Sequence, residues 1–304
     1  MIVIFILILT GVFLYKKGHL TNMISKELSW IVVNITNPMT LLNAALSEED
    51  KVGAGEIGIA FLCFAIMYAI LIPLAYLLPV LLGVDRDRRY AYRMLAIFGN
   101  VGFIGIPFSA AVLGSRSLIF VSICGLTFNM IIYTYGVASF KATAAHQHPE
   151  EELKDAFTAG NMINSGTVLS VATIIVYLTD IKLPDIATST ISLIGNCTTF
   201  ISMLVLGVSV AQMIPREVFT RWRLYVFVVI RQILVPIVII FVLRPFVSNE
   251  LILRTVGVMA AMPAANLPLM MAKQYGVKED MISAGIILTT VTSIVTIPAV
   301  MYFL

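Results

Sequence analysis

Gly99-Asn100-Val101-Gly102-Phe103-Ile104-Gly105-Ile106-Pro107 places three glycines, an asparagine and a proline inside an apolar segment that runs from about Arg93 to Leu113. Proline removes a backbone donor and clashes with the preceding turn, and glycine weakens a helix entropically. The segment therefore reads as a helix interrupted near its middle. In a bilayer an interruption frees N–H and C=O groups, which is tolerated only where they are buried in protein or line a cavity. A second such stretch lies far downstream, Ala260-Ala261-Met262-Pro263-Ala264-Ala265-Asn266-Leu267-Pro268, again apolar, with two prolines and one asparagine. Two broken membrane helices in corresponding positions of two halves point to a binding site between them.

Composition sets the class. Apolar residues make up 59% of the 304 and charged residues 12%, against about 25% charged in an average soluble domain. The chain reads as an all-α polytopic membrane protein. Cys63, Cys124 and Cys197 fall in apolar segments without paired spacing or a nearby histidine, so they read as small core residues, with no disulfide and no metal expected. The positive charges follow the first apolar run instead of preceding it, which argues against a cleaved leader.

Apolar runs separated by polar breaks give ten expected spans, at about 2–16, 25–46, 55–83, 90–113, 117–140, 160–180, 185–213, 222–246, 251–273 and 280–303. The first is short, about 22 Å as a helix. The long polar connection Lys141–Asp155, with His146, His148 and Glu150-Glu151-Glu152, reads as a solvated loop between two halves rather than a metal site. The halves are then 1–140 and 160–304, joined by a cytoplasmic connection at 141–159. Lys and Arg number 14 on the side of that connection and 5 on the other, with Arg231 inside a span. The positive-inside rule puts the connection in the cytoplasm and both termini outside.

An internal repeat fits this count. Pro73 and Pro236 are 163 residues apart in similar settings, Pro107 and Pro268 are 161 apart, and Pro38 finds Phe200 at 162. Gly114 and Gly276 follow Pro107 and Pro268 by seven and eight residues. Five spans is an odd number, so the two halves take opposite orientations: a five-plus-five inverted repeat with spans 4 and 9 broken and crossing.

Half-helix N-termini at such breaks carry unsatisfied N–H groups and partial positive charge, which attract a carboxylate. Asn100 and Asn266 add amides there; the plainer role for each is to glue helices or cap freed backbone. Asn129 in span 5 and Arg231 in span 8 lie at membrane depth, where a charge is a functional candidate by default. The alternative for Arg231 is pairing with carbonyls or snorkelling. Asn37, with Asn34 and Asn43, lines span 2; Asn196, Thr198 and Thr199 line span 7. The candidate substrate-binding set is Asn37, Asn100, Gly102, Pro107, Asn129, Arg231, Pro263, Asn266 and Pro268. No Asp or Glu falls in the middle of any expected span, so a carboxylate proton relay has no evident carrier.

Asn100 through Pro107, and Ala260-Ala261-Met262-Pro263 leading into Ala272-Lys273-Gln274-Tyr275-Gly276, carry a family resemblance, supported by Asn37-Pro38, Thr289-Thr290 and Ile297-Pro298. Over nearly its whole length the chain resembles the auxin efflux carrier family, which includes bacterial malonate-type carriers and the plant PIN auxin transporters. The resemblance implies ten helices, a scaffold part of spans 1, 2, 6 and 7, a transport part of spans 3–5 and 8–10, and substrate beside the crossing. It further implies an elevator-like shift and a homodimer joined through the scaffold. Asn100 matches the family asparagine before the first crossing, Pro107 and Pro263 its crossing prolines, and Asn129 a supporting polar position. Phe200 departs from a frequent proline, Ser165 after Asn164 from a frequent Asn-Pro, and the span 3 carboxylate of some plant members is absent. The long cytoplasmic loop of the plant carriers is missing too.

The expected function is secondary transport of a small organic anion, a malonate-like or auxin-like mono- or dicarboxylate, across the cell membrane. A sodium-coupled bile-acid-like or antiporter-like carrier of related fold is the alternative, and a channel a more distant one. No P-loop pattern occurs, all three histidines lie outside the spans, and neither an enzyme, a cofactor nor a nucleic-acid partner is expected.

Overall fold

The computed structural model describes residues 2–47, 53–147, 163, 165–179, 181–211 and 222–303. Helix α1 is Ile2–Lys16; α2 (Asn22–Ile31) passes through a π-helical turn, Val32–Thr36, into α3 (Asn37–Ser47). Helix α4 is Ala54–Leu81, and α5 (Arg89–Ile97) and α6 (Ile106–Val112) flank the first interruption. Helix α7 (Leu118–Ile131) continues through a second π-helical turn into α8 (Val137–Gln147). Helices α9 (Ser165–Thr179) and α10 (Asp185–Ala211) follow. Helix α11 (Trp222–Val229) runs through Ile230–Leu234 into α12 (Val235–Leu243). Helices α13 (Glu250–Ala261) and α14 (Leu267–Gln274) flank the second interruption, and α15 is Asp280–Tyr302.

Among the described residues, five helical stretches are long and apolar enough to cross a membrane: Ala54–Leu81, Ser115–Gln147, Asp185–Ala211, Trp222–Leu243 and Asp280–Tyr302. Shorter apolar helices are Ile6–Lys16, Val101–Val112 and Thr167–Thr179. Their outer faces carry bare apolar side chains such as Leu9, Leu193 and Phe241, which suit acyl chains and not water. The protein is an all-helical, polytopic membrane protein.

Proline alone does not decide where a helix breaks. Pro73 and Pro79 lie inside the unbroken α4, and Pro298 inside α15. The real interruptions add residues that turn the chain extended: Phe98 leaves α5 with ψ 95°, and Met262 leaves α13 with ψ 142°. Met262 precedes Pro263, whose ring disfavours the helical region for the residue before it.

Two readings need adjusting. The polar segment from Lys141 begins as helix, because α8 continues to Gln147 on the alanine-rich Lys141-Ala-Thr-Ala-Ala. His148, the acidic run and Asn164 lie outside the described residues. Cys63 and Cys124 are buried, but Cys197 is exposed on α10, where the position faces away from the protein core.

Helix α1 lies along α10, α10 along α3, and α3 against α9; α4 packs on α5 and α7, α12 on α13, and α15 on both α13 and α5, with α7 against α9 joining the two groups. The α1–α10 contact brings backbone against backbone. A Cβ at Gly207 would sit 2.2 Å from the Ile8 carbonyl oxygen, and one at Gly11 would sit 2.3 Å from that of Leu204. Small residues allow backbones to approach this closely where no hydrophobic effect drives helices together. Gly207→Val is therefore expected to cost roughly 1–3 kcal/mol through overpacking, read as a lower melting temperature in detergent. Gly58→Ala, where a Cβ meets open space within 4 Å, leaves the melt unchanged or raises it.

Candidate functional site

Ending α5 and α13 in mid-protein strands the last carbonyls of both helices. The chain answers them in three ways. First, the two interruptions pair with each other: Gly99 and Ala264 form an antiparallel bridge. Asn100 N–H donates to the Pro263 carbonyl (2.6 Å), and Ala265 N–H donates to that of Phe98 (2.9 Å). These two bonds map onto each other when the strands are exchanged. Second, Arg231 is 2% exposed and donates from Nε to the Ala96 carbonyl and from Nη1 to the Ala260 carbonyl. One guanidinium thus holds the negative ends of both half-helices, and charge-assisted bonds are the stronger kind. Third, the Ala264 N–H, which the bridge leaves over, donates to Thr289 Oγ1 at 3.1 Å.

Behind this sits a polar chain from α15. Gln232, fully buried, donates from Nε2 to the Thr289 carbonyl at 2.8 Å and accepts from Thr292 Oγ1 at 2.6 Å. Sequence reading did not single out Gln232 or Thr292 as part of the site. The available signal was a second polar residue directly after Arg231 inside an apolar run; threonines on a helix look the same whether they pack or bond.

The second half-helices start on the other side of the bridge. Asn100 Oδ1 accepts from Phe103 N–H at 3.1 Å, capping the stretch Val101–Val112 as an N-cap asparagine does. Its Nδ2 makes no hydrogen bond among the described residues, so it stays available as a donor. Asn37 reaches in from α3 and donates to the Gly102 carbonyl at 3.3 Å, while its own Oδ1 is buried without a partner. Asn37, Asn100, Gly102, Pro263 and Arg231 are thereby tied to the paired interruptions. Pro107 and Pro268 stand in the first turns of α6 and α14 and are buried. Asn129, partly buried on α7, follows Phe128, whose ring meets that of Phe98 edge-on at 5.6 Å. Asn266 is exposed at the start of α14 and makes no side-chain cap bond.

A small, mostly apolar cavity of about 30 Å³ lies among α1, α6, α10 and α15, lined by Ile4, Ile8, Ile104, Phe108, Met203 and Ile297 among others. Among the described residues no group of three or more His, Cys, Asp or Glu is placed to hold a metal ion. The arrangement supplies hydrogen-bond donors, helix-end dipoles and an immobilised cation.

A family model described as "Membrane transport protein" matches residues 1–301. No curated protein matches the chain.

Arg231→Met should cost about 3 kcal/mol or more, since two buried carbonyls lose their donor at roughly 1–3 kcal/mol each. Thr289→Val, which strands the Ala264 N–H alone, should cost about 1–3 kcal/mol. Denaturation of the purified protein orders the two; equal melting temperatures for Arg231→Met and the parent would show that the guanidinium does not hold the crossing.

Proposed function

Because the chain belongs to the membrane transport protein family, that of the auxin efflux carriers, we propose that it is a secondary transporter carrying a small organic anion, a mono- or dicarboxylate. One observation carries the reading: two helix interruptions are bonded to each other, and beside them the Asn100 amide nitrogen is left without a partner at the start of a half-helix. A carboxylate placed there meets an unpaired N–H donor and the positive end of a helix dipole. The buried Asn37 Oδ1 on the adjacent α3 suits a protonated or hydroxyl group of the same substrate. Arg231 adds a fixed positive charge behind the bridge rather than a direct contact, since its donors Nε and Nη1 already serve the protein.

The architecture in this reading is ten crossings in two inverted halves of five. In its favour, helix occupies described residues of each of the ten apolar segments, the bridge is symmetric, and Gly114 and Gly276 both take positive φ (86° and 66°) after α6 and α14. Helices α1–α3, α9 and α10 form the scaffold; α4–α8 and α11–α15 form the moving part. The mostly apolar cavity lined by Ile8, Phe108 and Met203 suits a sliding boundary because it holds few polar bonds to break. The termini face outward and the central connection faces the cytoplasm of a cell membrane, two copies joining through the scaffold.

Reconstitution in liposomes tests this. Labelled malonate, other small carboxylates and indole-3-acetate are offered to the purified protein. Saturable uptake of at least one is expected, with binding in Asn100→Ala weakened about tenfold to a hundredfold, the worth of a hydrogen bond to a charged group. Flux that rises linearly with concentration would favour a channel, and unchanged affinity in Asn100→Ala would remove that residue from the site.

A further inference from the structure

Away from the crossing, a cleft of about 300 Å³ opens where the end of α4 and the starts of α5, α11 and α15 meet. Tyr92 and Met281 are buried beneath it, while Asp85, Arg88, Trp222 and Arg223 form its walls. The arginines are not used by the fold as their neighbours are. Arg89 donates from Nε to the Val84 carbonyl at 2.9 Å, and Arg254 pairs with Glu250. Arg88, by contrast, has no carboxylate within ion-pair distance among the described residues. Arg223 has an Nε that is buried and makes no hydrogen bond. Its guanidinium lies 5.8 Å from the Trp222 ring, and Nη2 is 3.8 Å from where a Cβ on Gly83 would sit. An unpaired guanidinium nitrogen is a cost to the fold, and Arg223 lines the cleft, where an anion meets the rest of its guanidinium.

Two guanidinium groups and the Asp85 carboxylate leave one net positive charge, which matches a singly charged phosphodiester better than a phosphate dianion. The surroundings are half apolar. Trp222 is 64% exposed, Val226 and Val229 are exposed one and two turns further along, and Leu81 at the end of α4 is 70% exposed. Tryptophan next to basic residues marks the level of lipid headgroups. We propose that this cleft binds the headgroup phosphate of an anionic phospholipid through Arg88 and Arg223, with its acyl chains along the exposed face of α11. In the orientation proposed above the lipid belongs to the cytoplasmic leaflet, where anionic headgroups attract basic residues.

The test needs no transport. Purified full-length protein in detergent is titrated with phosphatidylglycerol, phosphatidylcholine or inorganic phosphate, with bound lipid read by native mass spectrometry and stability by thermal melting. Phosphatidylglycerol should bind and stabilise in preference to phosphatidylcholine, and inorganic phosphate at equal concentration should do neither. The variant R88Q/R223Q should lose about thirtyfold in phosphatidylglycerol affinity, and R88Q alone, at an exposed side chain, about fivefold; the single variant covers the case in which the double one misfolds. Equal retention of the two lipids, or undiminished phosphatidylglycerol binding in R88Q, would overturn the proposal. Arginine-dependent stabilisation by inorganic phosphate without lipid preference would overturn it too, and assign the cleft to a soluble anion. Loss of flux in liposomes bears on the crossing alone, and loss of lipid preference bears on this cleft alone.

Discussion

A helix that stops inside a membrane protein leaves carbonyls with nowhere to go, and this chain stops two helices at the same place. The guanidinium of Arg231 resolves both at once, donating to Ala96 on one side and Ala260 on the other. A charge buried at 2% exposure survives there because it meets two helix ends whose dipoles are negative. The need is mutual: the guanidinium holds two helix ends of like polarity together, and the two end carbonyls accept the bonds of the buried charge. The Gly99–Ala264 bridge and the Thr289 hydroxyl then occupy the Phe98 and Pro263 carbonyls and the Asn100, Ala264 and Ala265 N–H groups.

That solution has a consequence on the opposite face. With the C-terminal ends neutralised from behind, the N-terminal ends of the second half-helices keep their positive character, and Asn100, whose amide oxygen caps one of them, keeps its amide nitrogen unpaired there. In the function proposed above, such a site attracts an anion through helix-end dipoles and an amide, so the proposed carboxylate is held without a strong ion pair. The proposed division of labour follows from the same economy of polar contacts. The two interruptions are joined by polar bonds, whereas the small cavity toward α1 and α10 is lined mostly by apolar side chains.

The membrane class and both interruptions were legible in the sequence, because composition and backbone chemistry are local properties. Gly99-Asn100 and Met262-Pro263 weaken a helix through local backbone chemistry. Pro73, Pro79 and Pro298 look similar on paper, yet their helices continue, since neighbouring groups and not the proline alone decide whether a freed carbonyl is tolerable. Arg231 was visible as an anomaly, but its partners were not: Ala96 lies 135 residues away, and an alanine carries no sign that its carbonyl is in use. Gln232 and Thr292 were passed over for the same reason. Asn266, equal to Asn100 in sequence terms, is exposed and caps nothing with its side chain. The two breaks are thus alike in backbone and unlike in side-chain chemistry, a difference that only the fold exposes.

The central claim is that the two interruptions stay joined and act as one unit around the cargo. The bonding pattern at the bridge makes Gly99 and Ala264 a non-hydrogen-bonded pair, whose Cα atoms typically lie about 4.5 Å apart, within reach of a disulfide. The direct measurement is carboxylate uptake by G99C/A264C in liposomes, oxidised and then reduced, in a background with Cys63, Cys124 and Cys197 replaced by alanine. If the crossing moves as one body, the oxidised protein transports as well as the reduced one. Uptake that stops on oxidation and returns on reduction would show that the two interruptions must separate during transport, and would contradict the account.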